Sequence, residues 1–158
     1  MQISETLGSL FNQQAANEIG NANVYEQLAS WCGIRGLKRI SALFTAQAND
    51  ERSHSMKFVK YLDDANCQLD IQDIPRTIPI WESCDDIAMA RLELEMRTTQ
   101  EIQDMYLLAV KENDFAAQSF LDWFAKEQVD EVTESERFLS IVKESNGNYL
   151  LLDLMAGD

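Results

Sequence analysis

Four long stretches dominate this chain, each nearly the same length and each with apolar residues returning at alternating steps of three and four. That spacing places one side of each stretch on a buried seam, so the chain is built from long helices. The first runs from about Ser4, a hydroxyl suited to cap a helix with Glu5 behind it, to Cys32. Gly33 to Gly36 then predict a tight helical hairpin. The second runs from Leu37 to about Ala65, after which Asn66 to Glu82 lose periodicity and contain Pro75 and Pro79. The third starts near Ser83, where Asp85 and Asp86 suit the positive end of a helix, and continues to about Glu112. Asn113-Asp114 form a second short turn, and the fourth stretch spans about Phe115 to Glu144. A break from Ser145 to Asn148 leads to a short apolar tail, Tyr149 to Met155, which needs a surface to pack on.

Helices of nearly 30 residues are roughly 40–45 Å long and pack well side by side. Short, long, short connections make two antiparallel hairpins joined by a crossover that spans the bundle. The expected fold is therefore all-α: a four-helix bundle with one long crossover between helices two and three and a short C-terminal segment. With 158 residues, residues 1–158 are expected to form a single domain.

Charge narrows the partners. The net charge of -14 repels nucleic acid backbones and anionic lipid, which need clustered Lys and Arg, and so neither nucleic acid nor membrane is an expected partner. Cations are the more natural ones, although acidity by itself reads first as a solvated surface. Cys32, Cys67 and Cys84 form no CxxC pair, and their odd number suits a reducing compartment. Nothing near residue 1 reads as a secretory leader and no apolar run reaches the length of a membrane span, so the expected location is cytoplasmic.

The seams carry the chemistry. Helix one's seam passes Phe11, Gln14, Glu18, Ala22, Tyr25, Ala29 and Cys32; helix two's passes Ile40, Phe44, Gln47, Glu51, His54, Phe58, Tyr61 and Ala65. Helix three's passes Ala88, Leu92, Glu95, Thr99, Ile102, Tyr106 and Ala109, and helix four's passes Phe120, Phe124, Glu127, Glu131, Glu134, Phe138 and Ile141. Carboxylates in an apolar interior cost several kcal/mol each unless paired or bound to cations. Lys and Arg fall mainly at Arg35, Lys38, Arg39, Arg52, Lys57, Arg97 and Lys126, off these seams, which leaves metal as the economical explanation. Glu18, Glu51, His54, Glu95 and Glu131 also lie near the midpoints of their helices, where a bundle of equal-length helices brings them to one level. Oxygen ligands with one imidazole suit iron or manganese better than zinc, and one bridging carboxylate could hold two ions.

Glu51-x-x-His54 alone is a weak signal, because that spacing arises often on exposed helices. Joined to acidic seam positions on every other helix, it becomes strong. Tyr25 reads either as a core aromatic or as a redox-active neighbour of the metals, and Trp31, Trp81 and Trp123 read as packing residues.

The stretches NEIGNANVYEQLASWC, GIRGL, NDERSH, LELEMRTTQ and FLDWFAKEQVDE together resemble the bacterial-type non-haem ferritins, over nearly the whole chain. The midpoint carboxylates match a known pattern of ferritin-like di-metal bundles. The resemblance implies a ferritin-like bundle in which Glu18, Glu51 and His54 bind a first iron. It implies that Glu51 bridges to a second iron held by Glu95 and Glu131, with Gln128 beside it. Asp50, Glu127 and Asp130 match a third iron site, and the two aspartates are one methylene shorter than the glutamates usual there. Tyr25 matches a tyrosine that can donate an electron. Arg52 stands where haem-binding relatives carry the ligating methionine, so no haem is expected. Glu134 stands where those relatives place a histidine, making it an extra ligand candidate.

By resemblance the chain is a ferroxidase that oxidises Fe2+ with O2 or H2O2 and stores Fe(III) mineral inside a homo-oligomeric shell of 24 subunits. Two other readings stand beside it. A rubrerythrin-like di-iron peroxidase would carry a second ExxH and often a CxxC domain, and a catalytically inactive structural shell subunit would have lost ligands.

Overall fold

The computed structural model describes residues 3–74 and 76–156, so Pro75, one of the expected crossover breakers, lies outside the described residues. The chain forms α1 (Glu5–Gly33), α2 (Lys38–Asp64), α3 (Cys84–Lys111), α4 (Phe115–Ser145) and α5 (Tyr149–Met155). No strand occurs among the described residues. The four long helices are 29, 27, 28 and 31 residues, the near-equal lengths on which a convergence of midpoints depends.

Local chemistry explains where the helices stop and start. The Ser4 hydroxyl accepts the Leu7 amide at 3.1 Å, and the Asp114 carboxylate accepts that of Ala117 at 2.9 Å. At α3, Ser83 accepts the Asp86 amide at 3.2 Å while the Asp86 carboxylate accepts the Ser83 amide at 2.9 Å, a reciprocal cap. Three helix ends close the same way. Gly36, Asn66 and Asn113 take the left-handed conformation, and the next amides return to the carbonyls of Cys32, Leu62 and Ala109. Asn and Gly adopt that conformation at low cost, which is why these residues punctuate the sequence.

Leu37 offers α2 no side-chain cap, and the tail supplies one. Asp153 of α5 accepts the amides of Arg39 and Ile40, each at 3.0 Å. Leu152 is fully buried in the cluster with Ile40, Phe138 and Val142, so the tail packs on the start of α2 and the end of α4. Leu150, Leu151 and Leu154 remain exposed.

α1 packs mainly on α2 and α3 on α4, as short antiparallel links require. Ser41 and Ser55 on α2 donate to the Ala29 and Ala15 carbonyls of α1 at 2.9 and 2.7 Å, tying the first hairpin together. The apolar interior is split in two. One cluster includes Leu28, Phe44, Leu94 and Phe138 near the α5 end; the other includes Phe11, Phe58, Leu121 and Phe124 near the opposite end. Phe58 and Phe124 stack with ring centroids 4.5 Å apart.

Candidate metal centre

Between those two apolar clusters the seams turn polar. α1 places Glu18 here with Gln14 four residues before it, and α2 places Glu51 and His54 one turn apart. Glu18, Glu51 and His54 each present a ligand atom, and these atoms all lie within 4.8 Å of one another. His54 Nδ1 sits 3.5 Å from Glu51 Oε2, and Nε2 lies 3.9 Å from Glu127 Oε1. Glu18 accepts from Gln14 Nε2 at 2.9 Å and from Asn21 Nδ2 at 3.4 Å.

On the second hairpin, Glu95 of α3 is buried and accepts a hydrogen bond from the Tyr25 hydroxyl. Gln128 Nε2 of α4 donates to Glu95 Oε2 at 3.3 Å and to its carbonyl at 3.2 Å. Glu131 is half-buried.

Electrostatics make this layer unusual. Burial, reinforced by the Glu51 charge, pushes the Glu18 carboxyl well above the ordinary carboxylate range. Burial likewise raises Glu51 to about 8, with the charges of Glu95 and Glu131 adding to it. Glu131 is pushed to about 7 by burial and by Glu95. Glu95 is raised by burial, against the opposing pull of its bonds from Tyr25 and Gln128. Such carboxyls hold protons until a cation replaces them. The Tyr25 phenol, buried beside Glu95, is pushed well above its usual value and stays protonated.

The seams of α1 and α2 are buried at every position named from the sequence. α4 differs. Its buried face passes Leu121, Phe124, Gln128, Ser135, Phe138 and Val142, and Glu134 is exposed, with Arg137 Nη1 3.9 Å away. The two walks share Phe124 and Phe138, with half-buried Glu131 midway between them, so periodicity alone leaves open which flank faces inward. Packing turns in the flank with Gln128 and the wholly buried Ser135. Glu134 is thus not a seam residue. On α3, Arg91, Thr98 and Met105 are buried where Leu92, Thr99 and Tyr106 were expected, and these three are half-buried.

The family model of the ferritin-like domain matches residues 9–144. The chain belongs to the ferritin family. A curated relative, the bacterial non-heme ferritin of Campylobacter jejuni, is 26% identical over 152 residues, covering 94% of this chain and 91% of that protein. Among solved structures, the open pore ferritin of Archaeoglobus fulgidus superposes with a TM-score of 0.94 at 26% identity, covering 98% of this chain and 96% of that one. An iron-soaked crystal of a PmFTN variant superposes with a TM-score of 0.91 at 29% identity, covering 96% and 99%.

In this ferritin chain the residues matched to a third iron site occupy the rim of the polar layer. Asp50 and Asp130 are exposed and Glu127 is half-buried beside His54. Among the described residues, Glu18, Glu51 and His54 form the one trio of acidic or histidine side chains gathered so closely. Among the described residues no helix is long and apolar enough to cross a membrane.

Sequence reasoning missed two features of the layer. Asn21 bridges Glu18 to α3, donating to Thr98 Oγ1 at 3.0 Å. Arg91 is a buried cation, which corrects the expectation that basic residues lie off the seams. Its position four residues before Glu95 was the available signal, since that spacing shares a face.

Proposed function

We propose that the chain is an iron-storing ferroxidase subunit. Two Fe2+ ions are the substrates. Glu18, Glu51 and His54 take one ion, and Glu51 bridges to a second held by Glu95 and Glu131, with Gln128 keeping Glu95 in place. The observation that carries this reading is the gathering of the buried Glu18, Glu51 and His54 within 4.8 Å, where neither carboxyl has a Lys or Arg partner among the described residues. Hard oxygen donors favour Fe3+ over Fe2+, so the carboxylates lower the cost of oxidation, and proximity lets two ions share a two-electron step. Each Fe2+ gives one electron; O2 takes two electrons and two protons to form H2O2, and H2O2 as oxidant takes the same to form two waters.

Asp50, Glu127 and Asp130 provide a third, more exposed position that receives iron leaving the pair. Tyr25, hydrogen-bonded to Glu95, is an electron donor in this reading: when the third position also holds Fe2+, its one electron joins three from iron, and with four protons they reduce O2 to two waters. Ferric iron then collects as mineral within a homo-oligomeric shell of 24 subunits in the cytoplasm, a reading supported by the ferritin relatives.

The test is stopped-flow absorbance after mixing metal-free protein with Fe2+ in air. A fast phase is expected in wild type and its loss in Glu51→Ala. No fast phase in wild type, or an unchanged one in the variant, overturns the proposal.

A further inference from the structure

A second concentration of charge lies away from the carboxylates and has the opposite sign. A cavity of about 410 Å³ opens between α2, α3, α4 and α5, and Arg39, Arg91 and Arg137 all line it. In a chain of net charge -14 with 13 basic residues, three guanidiniums around one cavity is a marked gathering. Among the described residues Glu134, 3.9 Å from Arg137, is the single carboxylate in the lining, so their positive charge is in excess by two.

Arg91 is the telling member. It is only 4% exposed, and its Nε has no hydrogen-bond partner among the described residues. It makes no ion pair among them either. Its guanidinium carbon lies 5.7 Å from the centre of the Phe138 ring. A buried guanidinium has five N–H groups to satisfy, and leaving them unpaired is costly. The nearby carboxylates Glu95 and Glu131 account for a positive charge at this place. They account neither for the unpartnered Nε nor for Arg39 and Arg137 converging on the same space.

We propose that this cavity is an oxyanion site that takes a phosphate group, free or as the head of a small ester, with Arg91 as its deepest contact. Guanidinium forks match tetrahedral oxyanions in both charge and direction, and two excess positive charges match a phosphate dianion. The remaining wall, with Leu43, Phe138 and Ile141, is apolar and has room for the carbon part of an ester. Arg39 is held in place by its own bond to the Leu154 carbonyl at 3.3 Å, so the tail helps to shape the site.

Isothermal titration of the assembled, iron-free protein with inorganic phosphate and with phenyl phosphate tests this. Saturable binding is expected, weakened roughly tenfold or more in Arg91→Met and in Arg137→Gln, and unchanged in Arg52→Gln, whose partner Glu26 lies elsewhere. Equal affinity for the two probes identifies the free anion as the ligand; much tighter phenyl phosphate identifies an ester. If neither binds saturably, or if Arg91→Met and Arg137→Gln bind as wild type does, the proposal fails. Should Arg91→Met not assemble, Arg137→Gln and Arg39→Gln, both at exposed positions, decide it the same way: unchanged affinity in both overturns it.

Discussion

The middle of the bundle and its two ends are made of the same helices but obey different rules. At the ends, Phe11, Phe58 and Phe124 on one side and Phe44 and Phe138 on the other fill space with ring against ring, and their burial stabilises the fold. In the middle, Glu18, Glu51 and Glu95 are as deeply buried as those rings, yet burial works against them. The ends hold the middle in a shape it would not choose for itself, and a cation relieves the mismatch.

The strongest way to break this contrast is to make the middle resemble the ends. Glu51→Met should abolish the fast phase of Fe2+ oxidation while raising the thermal midpoint of the metal-free protein, because an apolar side chain replaces an ionisable one in a buried layer. Oxidation kinetics and a melt at matched protein concentration measure both; a lower midpoint would show that Glu51 supports the fold. Making an end resemble a cavity should do the reverse. Phe58→Ala is expected to cost about 3–5 kcal/mol in denaturant unfolding, with the trio of ligand side chains left in place.

Acidity separates the regions without mutation. Glu51 at about 8 and Glu131 at about 7 stand above their ordinary 4.5, so between those values the folded chain holds more protons than the unfolded one. Their contribution to stability is full below about pH 4.5 and is lost as pH rises through 7 to 8. The metal-free protein should therefore melt lower at pH 8.5 than at pH 6, and Glu51→Met should flatten that slope. An equal slope in the variant would assign the effect to surface repulsion among the chain's acidic groups. In the same window a redox-silent divalent cation should release protons into unbuffered solution.

The smallest effect belongs to the tail. Asp153→Ala removes the cap of α2 and is expected to cost about 1 kcal/mol, read as a lower unfolding midpoint. A loss near zero would mean that water caps α2 equally well.

Much of this contrast was legible in the sequence, although unevenly. α1 and α2 could be read residue by residue, because large apolar residues such as Phe11, Phe44 and Phe58 mark their seams without ambiguity. α4 could not. Phe120, Leu121 and Phe124 allow two faces, and the acidic run at Glu127, Glu131 and Glu134 made the wrong one attractive. On α3 the walk through Leu92 passed over Arg91, since an arginine on a seam is read as solvent-facing unless its partners are known.

The sequence by itself determined the number, length and ends of the helices and the level at which their midpoints meet. These depend on local spacing and on caps only a few residues away. The tertiary structure alone decided how far α4 turns about its axis, that Asp153 closes the start of α2, and that three arginines from three helices share one cavity. Each is a contact between segments distant in the chain, set by how side chains fill common space, and periodicity along one helix carries no record of it.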